Sequence, residues 1–210
     1  MIKILVADDH PIVRQGIKLI IAENPDMVIK DEACDGYQLL EKIRKEDFDV
    51  VLLDLSMPGI SGMDVLKQIT REKPGLPVLV LSRYPEELYA LPALKAGASG
   101  YLPKTSIVEE LINAIRRVSA GKQYISSSLV EELVGQLKNY GQVVSHLRLS
   151  DREREVMCLI ASGKKIAEIA AELCLSSTTV STYRSRIFRK MKFKGDADLI
   201  RYAIDNEFIE

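Results

Sequence analysis

The residues best suited to chemistry in this sequence are acidic and follow short apolar runs. Asp8-Asp9 comes directly after Ile2–Ala7, and Asp54 comes directly after Val50–Leu53. An acidic pair at a chain turn is most often a solvated turn or a helix cap. A carboxylate that ends a buried strand is different, because its burial is costly unless it is paired or binds a metal. Carboxylate oxygens are the ligands that Mg²⁺ prefers, so the three acids predict a site for a hard cation if their strands are neighbours.

Apolar runs alternate with amphipathic patterns over the first 120 residues. Such runs are typical of buried parallel strands, and the intervening patterns are typical of helices. The predicted strands are Ile2–Ala7, Met27–Ala33, Val50–Leu53, Pro77–Leu81 and Gly100–Leu102. The predicted helices are Pro11–Ala22, Gly36–Glu46 capped by Asp35, Met63–Glu72, Glu86–Ala96 and a helix from the Ser106 capping box to Ala120. The alternation predicts an α/β fold, a (βα)5 doubly wound parallel sheet with right-handed crossovers and the more polar second strand near an edge.

The carboxyl ends of parallel strands bring two more polar side chains to the acids. Ligands of doubly wound sheets bind at these ends, near the point where the strand order reverses. Ser82 follows the fourth predicted strand and Lys104 follows the fifth. With a cation neutralising the acids, one carboxylate can attack a phosphoryl group and form an acyl phosphate, while the hydroxyl and the ammonium contact phosphoryl oxygens.

These residues resemble the receiver domain of two-component response regulators, which has a flavodoxin-like fold. The resemblance covers residues 1–121 and is carried by Asp8-Asp9, the segment Asp54–Gly62, Ser82, Tyr101 and Lys104. It implies that Asp54 is the phosphoacceptor and that a sensor histidine kinase donates the phosphoryl group. Lys104 would contact the phosphoryl group, and Ser82 with Tyr101 would form the switch pair, with a core or half-exposed tyrosine as the alternative interpretation of Tyr101.

The same resemblance implies a metal cofactor. The bound ion would be Mg²⁺, for which Mn²⁺ could substitute. Its protein ligands would be Asp8, Asp9, Asp54 and the backbone carbonyl of Ser56.

Three residues depart from the usual receiver pattern. Arg83 follows Ser82 where receivers usually carry a small residue, and we expect it to shield the phosphoryl group or slow its hydrolysis. Pro103 removes a backbone donor next to Lys104. Pro92 lies inside the fourth predicted helix, which we expect it to kink or shorten.

The remainder of the chain is predicted to be helical. Residues 122–146 are predicted to be a linker with a helix at Leu129–Lys138, and residues 147–210 a small all-α domain. The predicted helices of that domain are one from the Ser150 capping box to Ser162, then Ile166–Leu173, Val180–Met191 and Asp196–Asn206. The second and third are short helices joined by a tight turn, which is the pattern of a helix-turn-helix.

Polar and basic side chains along the third of these helices predict a DNA contact. In a helix-turn-helix the second helix enters the major groove, with its N-terminal residues at the base edges. The candidate contacts are Thr178, Thr179, Ser181, Thr182, Arg184, Ser185, Arg189, Lys190 and Lys192. Val180, Ile187 and Met191 should face the domain core. A helical bundle with a solvated basic face is the bland alternative.

Residues 149–202 resemble a LuxR-type helix-turn-helix along their whole length, and the pair of domains resembles the NarL/FixJ family. The markers are Arg152–Val156, Glu168–Ala170 and Thr179–Arg184. Members often carry lysine where Ser181 stands and histidine where Tyr183 stands, so base specificity cannot be copied from relatives. The resemblance implies a homodimer when active, through Asp196–Asn206, on double-stranded promoter DNA, with RNA polymerase as a further candidate partner.

Charge and cysteine content agree with this division of labour. Residues 1–146 carry 17 Lys or Arg and 20 Asp or Glu, whereas residues 147–210 carry 12 and 10. A mildly acidic part followed by a basic stripe predicts two separate tasks. The three cysteines form no CxxC pair, which is typical of a reducing compartment. With no signal peptide and no apolar run near 20 residues, the expected location is the cytoplasm, away from membranes.

Two other classes of function remain open. One is an aspartate-nucleophile phosphatase of the haloacid-dehalogenase kind, which has its nucleophile at the end of the first strand and a second acid two positions later. Adjacent Asp8-Asp9 and the position of Asp54 on the third strand argue against it, so we expect no turnover enzyme. The other is a phosphorylation-independent regulator whose receiver is only a dimerisation or ligand-binding module.

Overall fold

The chain divides into two compact units, residues 1–129 and 130–210. The computed structural model describes residues 1–106, 108–126, 129, 149–206 and 208. The predicted linker helix at Leu129–Lys138 therefore lies outside the described residues, apart from Leu129.

Five parallel strands form a single sheet in the first unit. They are β1 (Ile2–Ala7), β2 (Met27–Ala33), β3 (Val50–Asp54), β4 (Val78–Ser82) and β5 (Gly100–Pro103). Their order is β2-β1-β3-β4-β5, with every neighbouring pair parallel. The five-stranded sheet and the edge position of β2 are confirmed. Asp54 and Ser82 are the last residues of their strands, so both leave the sheet at its carboxyl edge.

Helices connect the strands. They are α1 (Pro11–Ala22), α2 (Gly36–Lys45), α3 (Gly62–Glu72), α4 (Glu86–Lys95) and α5 (Val108–Ser119). With right-handed crossovers, the reversal of strand order between β1 and β3 places α1 and α5 on one face of the sheet and α2 to α4 on the other. The core includes apolar residues of α1 and α5 packed against the central strands, among them Ile17, Ile21, Leu111 and Ile115.

Local signals explain several helix bounds. The Asp35 side chain caps α2 by accepting a hydrogen bond from the Gln38 backbone at 2.9 Å, as predicted. Pro92 lies inside α4, yet the helix continues to Lys95, one residue short of the predicted end. Gly62 opens α3 where a Cβ atom would lie 2.4 Å from the Leu55 Cα atom. Only glycine allows this close approach, which folds the loop after Asp54 back on itself.

The segment after α5 packs against the sheet. Tyr124 forms a parallel bridge with Gly100, and its backbone N–H donates to the Ser99 carbonyl at 2.8 Å. Its hydroxyl donates to Glu110 at 2.6 Å. Ser126 donates to Glu86, the first residue of α4, at 2.6 Å. The outer side of β5 is therefore covered by chain that follows the last receiver helix.

The described part of the second unit is helical. Its helices are α6 (Asp151–Ala161), α7 (Ile166–Glu172), α8 (Ser177–Met191) and α9 (Asp196–Asp205). The capping box at Ser150 and Glu153 is present as predicted. Ser176 caps α8 through the Thr179 backbone N–H, so this helix begins three residues before the predicted Val180.

Tight turns separate α6, α7 and α8. Gly163 ends α6 in the left-handed region, with its N–H bonded to the Ile160 carbonyl and the next N–H to the Leu159 carbonyl. Cys174 takes the same conformation after α7 with φ of 53°. The second turn makes the α7–α8 pair a helix-turn-helix. Within the described ranges, every helix falls short of the length and apolarity needed to cross a bilayer.

Candidate metal centre and nucleic-acid interface

Asp8 and Asp54 meet at the carboxyl edge of the sheet, beside the reversal of strand order. Asp54 ends β3, and Asp8 follows the neighbouring β1 directly. Their residues are only 1% and 2% exposed. The order of the strands therefore concentrates negative charge at this edge. Two buried carboxylates this close are costly unless a cation neutralises them.

Lys104 supplies a cation from the end of β5. Its Nζ atom lies 2.7 Å from Asp8 Oδ2 and 2.7 Å from Asp54 Oδ2. Burial opposes the charged ammonium, but the two carboxylates outweigh it and raise the pKa of Lys104. The ammonium therefore stays charged and bridges the two acids.

Burial makes the Asp54 carboxylate costly to ionise. Burial is the largest influence and raises the pKa of Asp54, and the nearby Asp8 charge adds to it. Lys104 and the Ser56 backbone N–H, which donates to Asp54 Oδ1 at 3.0 Å, act in the opposite direction without cancelling it. The ionised Asp54 carboxylate is therefore stabilised by any further cation that binds beside it. It is also stabilised when one of its oxygens forms a bond to an electrophile.

The donor set fits a hard divalent cation. Among the described residues, one ligand atom from each of Asp8, Asp9, His10 and Asp54 can be chosen so that all lie within 4.8 Å of one another. Asp9 Oδ1 is buried and has no hydrogen-bond partner in the described part of the chain. An unsatisfied carboxylate oxygen among other carboxylates is the arrangement that an oxygen-seeking ion completes.

Ser82 and Tyr101 both hydrogen-bond to the backbone of Tyr84, which lies between them. Ser82 Oγ accepts a hydrogen bond from the Tyr84 backbone N–H at 3.1 Å, and the buried Tyr101 hydroxyl donates to the Tyr84 carbonyl at 2.7 Å. The two predicted switch residues thus hydrogen-bond to the N–H and to the carbonyl of the same residue, Tyr84, in the loop between β4 and α4. A shift of the Ser82 hydroxyl would move the Tyr84 backbone and so disturb the hydrogen bond that the Tyr101 hydroxyl donates to it.

The departures from the usual pattern leave this edge intact. The Lys104 N–H still bonds to the Ser82 carbonyl at 2.8 Å, so the missing donor of Pro103 does not disrupt the end of β5. The exposed Arg83 guanidinium lies 5.8 Å from the centre of the Tyr84 ring. Arg83 therefore lies along the switch loop.

Sequence reasoning missed two residues of this site. His10 Nδ1 lies 2.7 Å from Asp9 Oδ1 and 3.3 Å from Asp8 Oδ1. Its position directly after the acidic pair was the available signal. Tyr84 carried no such signal, because its part is played by backbone atoms that every residue has.

The outward face of α8 carries most of the predicted DNA contacts. Val180, Ile187 and Met191 are buried as predicted. On a helix of 3.6 residues per turn the opposite face is formed by positions three, four and seven apart. The exposed residues there are Thr178, Ser181, Thr182, Ser185, Arg189 and Lys192. Thr179 is half-buried and engaged with the Ser176 cap.

Two predicted contacts are engaged inside the unit. Arg184 donates from Nε and Nη2 to Asp196 Oδ1 at 3.0 and 2.9 Å, and its guanidinium lies 4.4 Å from the centre of the Phe188 ring. Lys190 Nζ lies 2.5 Å from Oε2 of the buried Glu153. Both side chains thus join helices within the unit, whereas the exposed Arg186, which sequence reasoning did not select, belongs to the outward surface.

Comparison with known proteins identifies the family of each of the two domains. A family model of the response regulator receiver domain matches residues 4–116, and one of bacterial regulatory proteins of the luxR family matches residues 147–203. The response regulator GacA of Pseudomonas aeruginosa is 36% identical over 214 residues, covering 100% of this chain and 99% of its own. The response regulator UvrY of Escherichia coli is 35% identical over 205 residues, covering 97% and 94%.

A solved structure extends the likeness to the fold. RcsB from Salmonella enterica serovar Typhimurium, bound to promoter P1flhDC in the presence of the phosphomimetic BeF3−, matches with a TM-score of 0.67 and 30% identity, over 96% of this chain and 97% of that one. The chain belongs to the NarL/FixJ family of response regulators, with a receiver domain and a LuxR-type helix-turn-helix. It is a two-component regulator of transcription. The members of its family are regulators and not classical enzymes.

Proposed function

We propose that a sensor histidine kinase phosphorylates Asp54 and that this phosphorylation controls promoter binding by the C-terminal unit as a homodimer. The observation that carries the proposal is the buried Asp54 carboxylate, held by Lys104 beside Asp8 at the strand edge.

The transfer requires one bond exchange at phosphorus. A carboxylate oxygen of Asp54 forms a bond to phosphorus while the phosphorus–nitrogen bond of the donor phosphohistidine breaks and the imidazole keeps the electron pair. Lys104 neutralises charge on the phosphoryl oxygens, and the Ser56 N–H already orients the acceptor carboxylate. Positioning and charge neutralisation are most of what phosphoryl transfer needs.

Mg²⁺ is the proposed cofactor, with Mn²⁺ able to replace it. Asp8, Asp9, Asp54 and the carbonyl of Ser56 would hold the ion, which supplies charge neutralisation to the phosphoryl oxygens. The unsatisfied Asp9 oxygen supports this assignment.

The Ser82–Tyr84–Tyr101 connection supports a route for the signal. A phosphoryl oxygen on Asp54 attracts the Ser82 hydroxyl, which now accepts from the Tyr84 N–H. The Tyr84 carbonyl, which accepts the Tyr101 hydroxyl, belongs to the following peptide unit and would shift as the residue rotates. The loop that begins α4 thereby acquires a second arrangement that a partner surface can distinguish.

The reader unit supports DNA binding as a dimer. The outward face of α8 offers hydroxyls and cations for the major groove, with Thr178, Ser181, Thr182, Ser185, Arg189 and Lys192 as the exposed contacts and Thr179, Arg184 and Lys190 at its margins. On α9, Ile200 and Ile204 are 37% and 56% exposed and lie one turn apart. An exposed apolar pair on a short helix is suited to pairing with a second copy.

The remaining parts of the proposal concern organisation and location. The receiver would span residues 1–121, the linker 122–146 and the reader 147–210. The protein would act in the cytoplasm, where histidine kinases present their phosphorylated domains, with RNA polymerase as a candidate contact on the promoter.

The test uses the full chain and a promoter fragment to which its phosphorylated form binds. Acetyl phosphate should tighten DNA binding of the wild type by ~5–150-fold, the usual range of coupling free energies. Asp54→Asn should abolish that response, whereas Asp64→Asn, which changes an exposed acid of α3, should retain it. An undiminished response in Asp54→Asn would refute the proposal and favour the phosphorylation-independent regulator.

A further inference from the structure

His10 stands beside the proposed metal ligands without a role in the proposed function. Its residue precedes Pro11 at the start of α1, and its ring does not cap that helix. The side chain is 51% exposed, and its Nδ1 atom faces Asp8 and Asp9. The backbone N–H of His10 donates to Asp8 Oδ1 at 2.9 Å, which ties the residue to the acid itself.

The spacing of these atoms matches that of neighbouring ligands in one coordination shell. Adjacent ligands at about 2.1 Å from an octahedral ion lie about 3 Å apart. His10 Nδ1 lies 2.7 Å from Asp9 Oδ1 and 3.3 Å from Asp8 Oδ1, on either side of that value. The imidazole nitrogen thus lies at one ligand-to-ligand spacing from an oxygen of each acid, inside a group of four possible ligand atoms that lie within 4.8 Å of one another.

The 2.7 Å approach is not that of an ordinary hydrogen bond. Asp9 Oδ1 is buried and, among the described residues, has no hydrogen-bond partner, although His10 Nδ1 is so near. The ring therefore does not direct an N–H at this oxygen. Two polar atoms in contact without a hydrogen bond between them are better explained as ligands that converge on a third atom.

We infer that His10 Nδ1 is a further ligand of the metal, so that the site binds a divalent first-row transition ion, Mn²⁺ in particular, more tightly than its oxygen ligands alone would, while Mg²⁺ gains little from the ring. The inference rests on the proposed function, since the ion is the one proposed beside Asp54. Mg²⁺ takes oxygen ligands, whereas imidazole adds affinity for first-row transition ions. The His10 nitrogen therefore raises the affinity of the site for first-row transition ions and adds little to its affinity for Mg²⁺.

The experiment uses the full chain, Mn²⁺ alone and two alanine variants. Electron spin-echo envelope modulation of bound Mn²⁺ should show a coupled ¹⁴N nucleus in the wild type, and His10→Ala should lose it. The sequence has one other histidine, so His146→Ala is the matched control and should keep the signal. His10→Ala should also weaken Mn²⁺ binding on the order of tenfold, a loss typical of disturbing a metal's supporting groups, while Mg²⁺ binding changes far less.

Two results would overturn the inference. One is the absence of ¹⁴N modulation in wild-type protein with bound Mn²⁺, which would leave His10 an ion-pair partner only. The other is an equal loss of Mn²⁺ and Mg²⁺ affinity in His10→Ala. Phosphorylation of Asp54 is followed separately, by phosphate-affinity electrophoresis with Mg²⁺ and acetyl phosphate, so failure of the proposed function is distinguishable from failure of this inference.

Discussion

Asp54 is a buried acid whose loss of water contact outweighs the cation beside it. Burial and Asp8 together raise its pKa despite Lys104. An acid whose folded pKa is raised contributes stability that is present below its unfolded pKa and is lost as the pH rises through the folded pKa. At neutral pH the ionised carboxylate therefore costs folding free energy.

Replacing that carboxylate by an isosteric amide should stabilise the protein. Asp54→Asn removes the buried charge while Lys104 retains Asp8, so we expect the free energy of unfolding at pH 7 to rise by about 1 kcal/mol. The measurement is thermal or urea unfolding of the first unit's transition in the full chain. The gain should shrink as the pH falls towards the range where Asp54 itself becomes protonated.

With Mg²⁺ present, we expect the wild type to have a higher free energy of unfolding than Asp54→Asn. At a hundredfold excess over its dissociation constant, the ion stabilises a binding-competent wild type by about 2.7 kcal/mol. Asp54→Asn lacks a ligand and should gain less. Asp64→Asn serves as control and should follow the wild type. Equal stabilisation of Asp54→Asn and wild type by Mg²⁺ would contradict the assignment of Asp54 as a ligand.

The sequence predicts which residues reach the site but not all of the contacts between them. Asp54 and Lys104 could be placed because strand ends of a parallel sheet share one edge. The bridge that Lys104 makes to Asp8 depends on side-chain directions that spacing does not determine. Tyr84 acts through its peptide group, for which no residue type is diagnostic.

At the scale of elements, an ion pair joins the start of α6 to the end of α8. Glu153 is 2% exposed, and its Oε2 atom accepts from the Ser150 N–H at 2.7 Å as well as contacting Lys190. Burial acts to raise the pKa of Glu153, but Lys190 and Ser150 outweigh it and lower the pKa. The pair thus contributes stability above the unfolded pKa that is lost as the pH falls through the folded pKa.

Lys190→Met should leave a buried carboxylate without its cation. We expect a loss of about 1–2 kcal/mol from the second unit, less than for a fully buried pair because Lys190 is partly exposed. Differential scanning calorimetry at pH 7 measures it. The loss should diminish as Glu153 is protonated. Lys192→Met, on the exposed end of the same helix, is the control; equal destabilisation by the two variants would rule out the ion pair as the cause.

The Tyr124 segment should stabilise the first unit through its ring more than through its hydroxyl. Tyr124→Ala removes a buried ring and should cost about 3–5 kcal/mol. Tyr124→Phe removes only the hydrogen bond to Glu110 and should cost about 1 kcal/mol. Urea unfolding of the full chain compares the two, and similar small losses in both would mean that the ring does not pack as described.

Helix bounds followed from capping residues and periodicity, with errors where two signals compete. Ser176 and Thr179 can both cap a helix, and Ser176 does so, so α8 begins a turn early. Pro92 predicts a kinked or shortened α4, and the helix continues past it to Lys95, one residue short of the predicted end. The engagement of Arg184 by Asp196 was beyond sequence reasoning, because that contact depends on the packing of α9.

At the scale of the molecule, charge is distributed to suit a DNA reader. The surface of α8 should make DNA binding steeply salt-dependent, with a slope of log affinity against log salt of roughly −0.9 per phosphate contact. Arg189→Ala should flatten the slope by about 0.9. Arg184→Ala should instead lower the thermal stability of the second unit and change the slope little, because its guanidinium is held by Asp196 and Phe188.

Binding titrations at several salt concentrations decide between the two arginines. Glu168→Gln, on an exposed position of α7, controls for a general change in charge. A flat salt response in the wild type would favour the solvated helical bundle. An unchanged slope in Arg189→Ala would remove that residue from the contact surface.

The bridge between Tyr124 and Gly100 of β5 also affects how two copies of the protein could associate. A last strand with free N–H and carbonyl groups is a template on which another chain can add a strand, and proteins that leave one open tend to aggregate. Here the Tyr124 backbone occupies a position beside Gly100, and the Tyr124 side chain is itself buried. At Gly100, the segment that follows α5 therefore occupies the place at which a strand from a second copy would begin to add to the sheet.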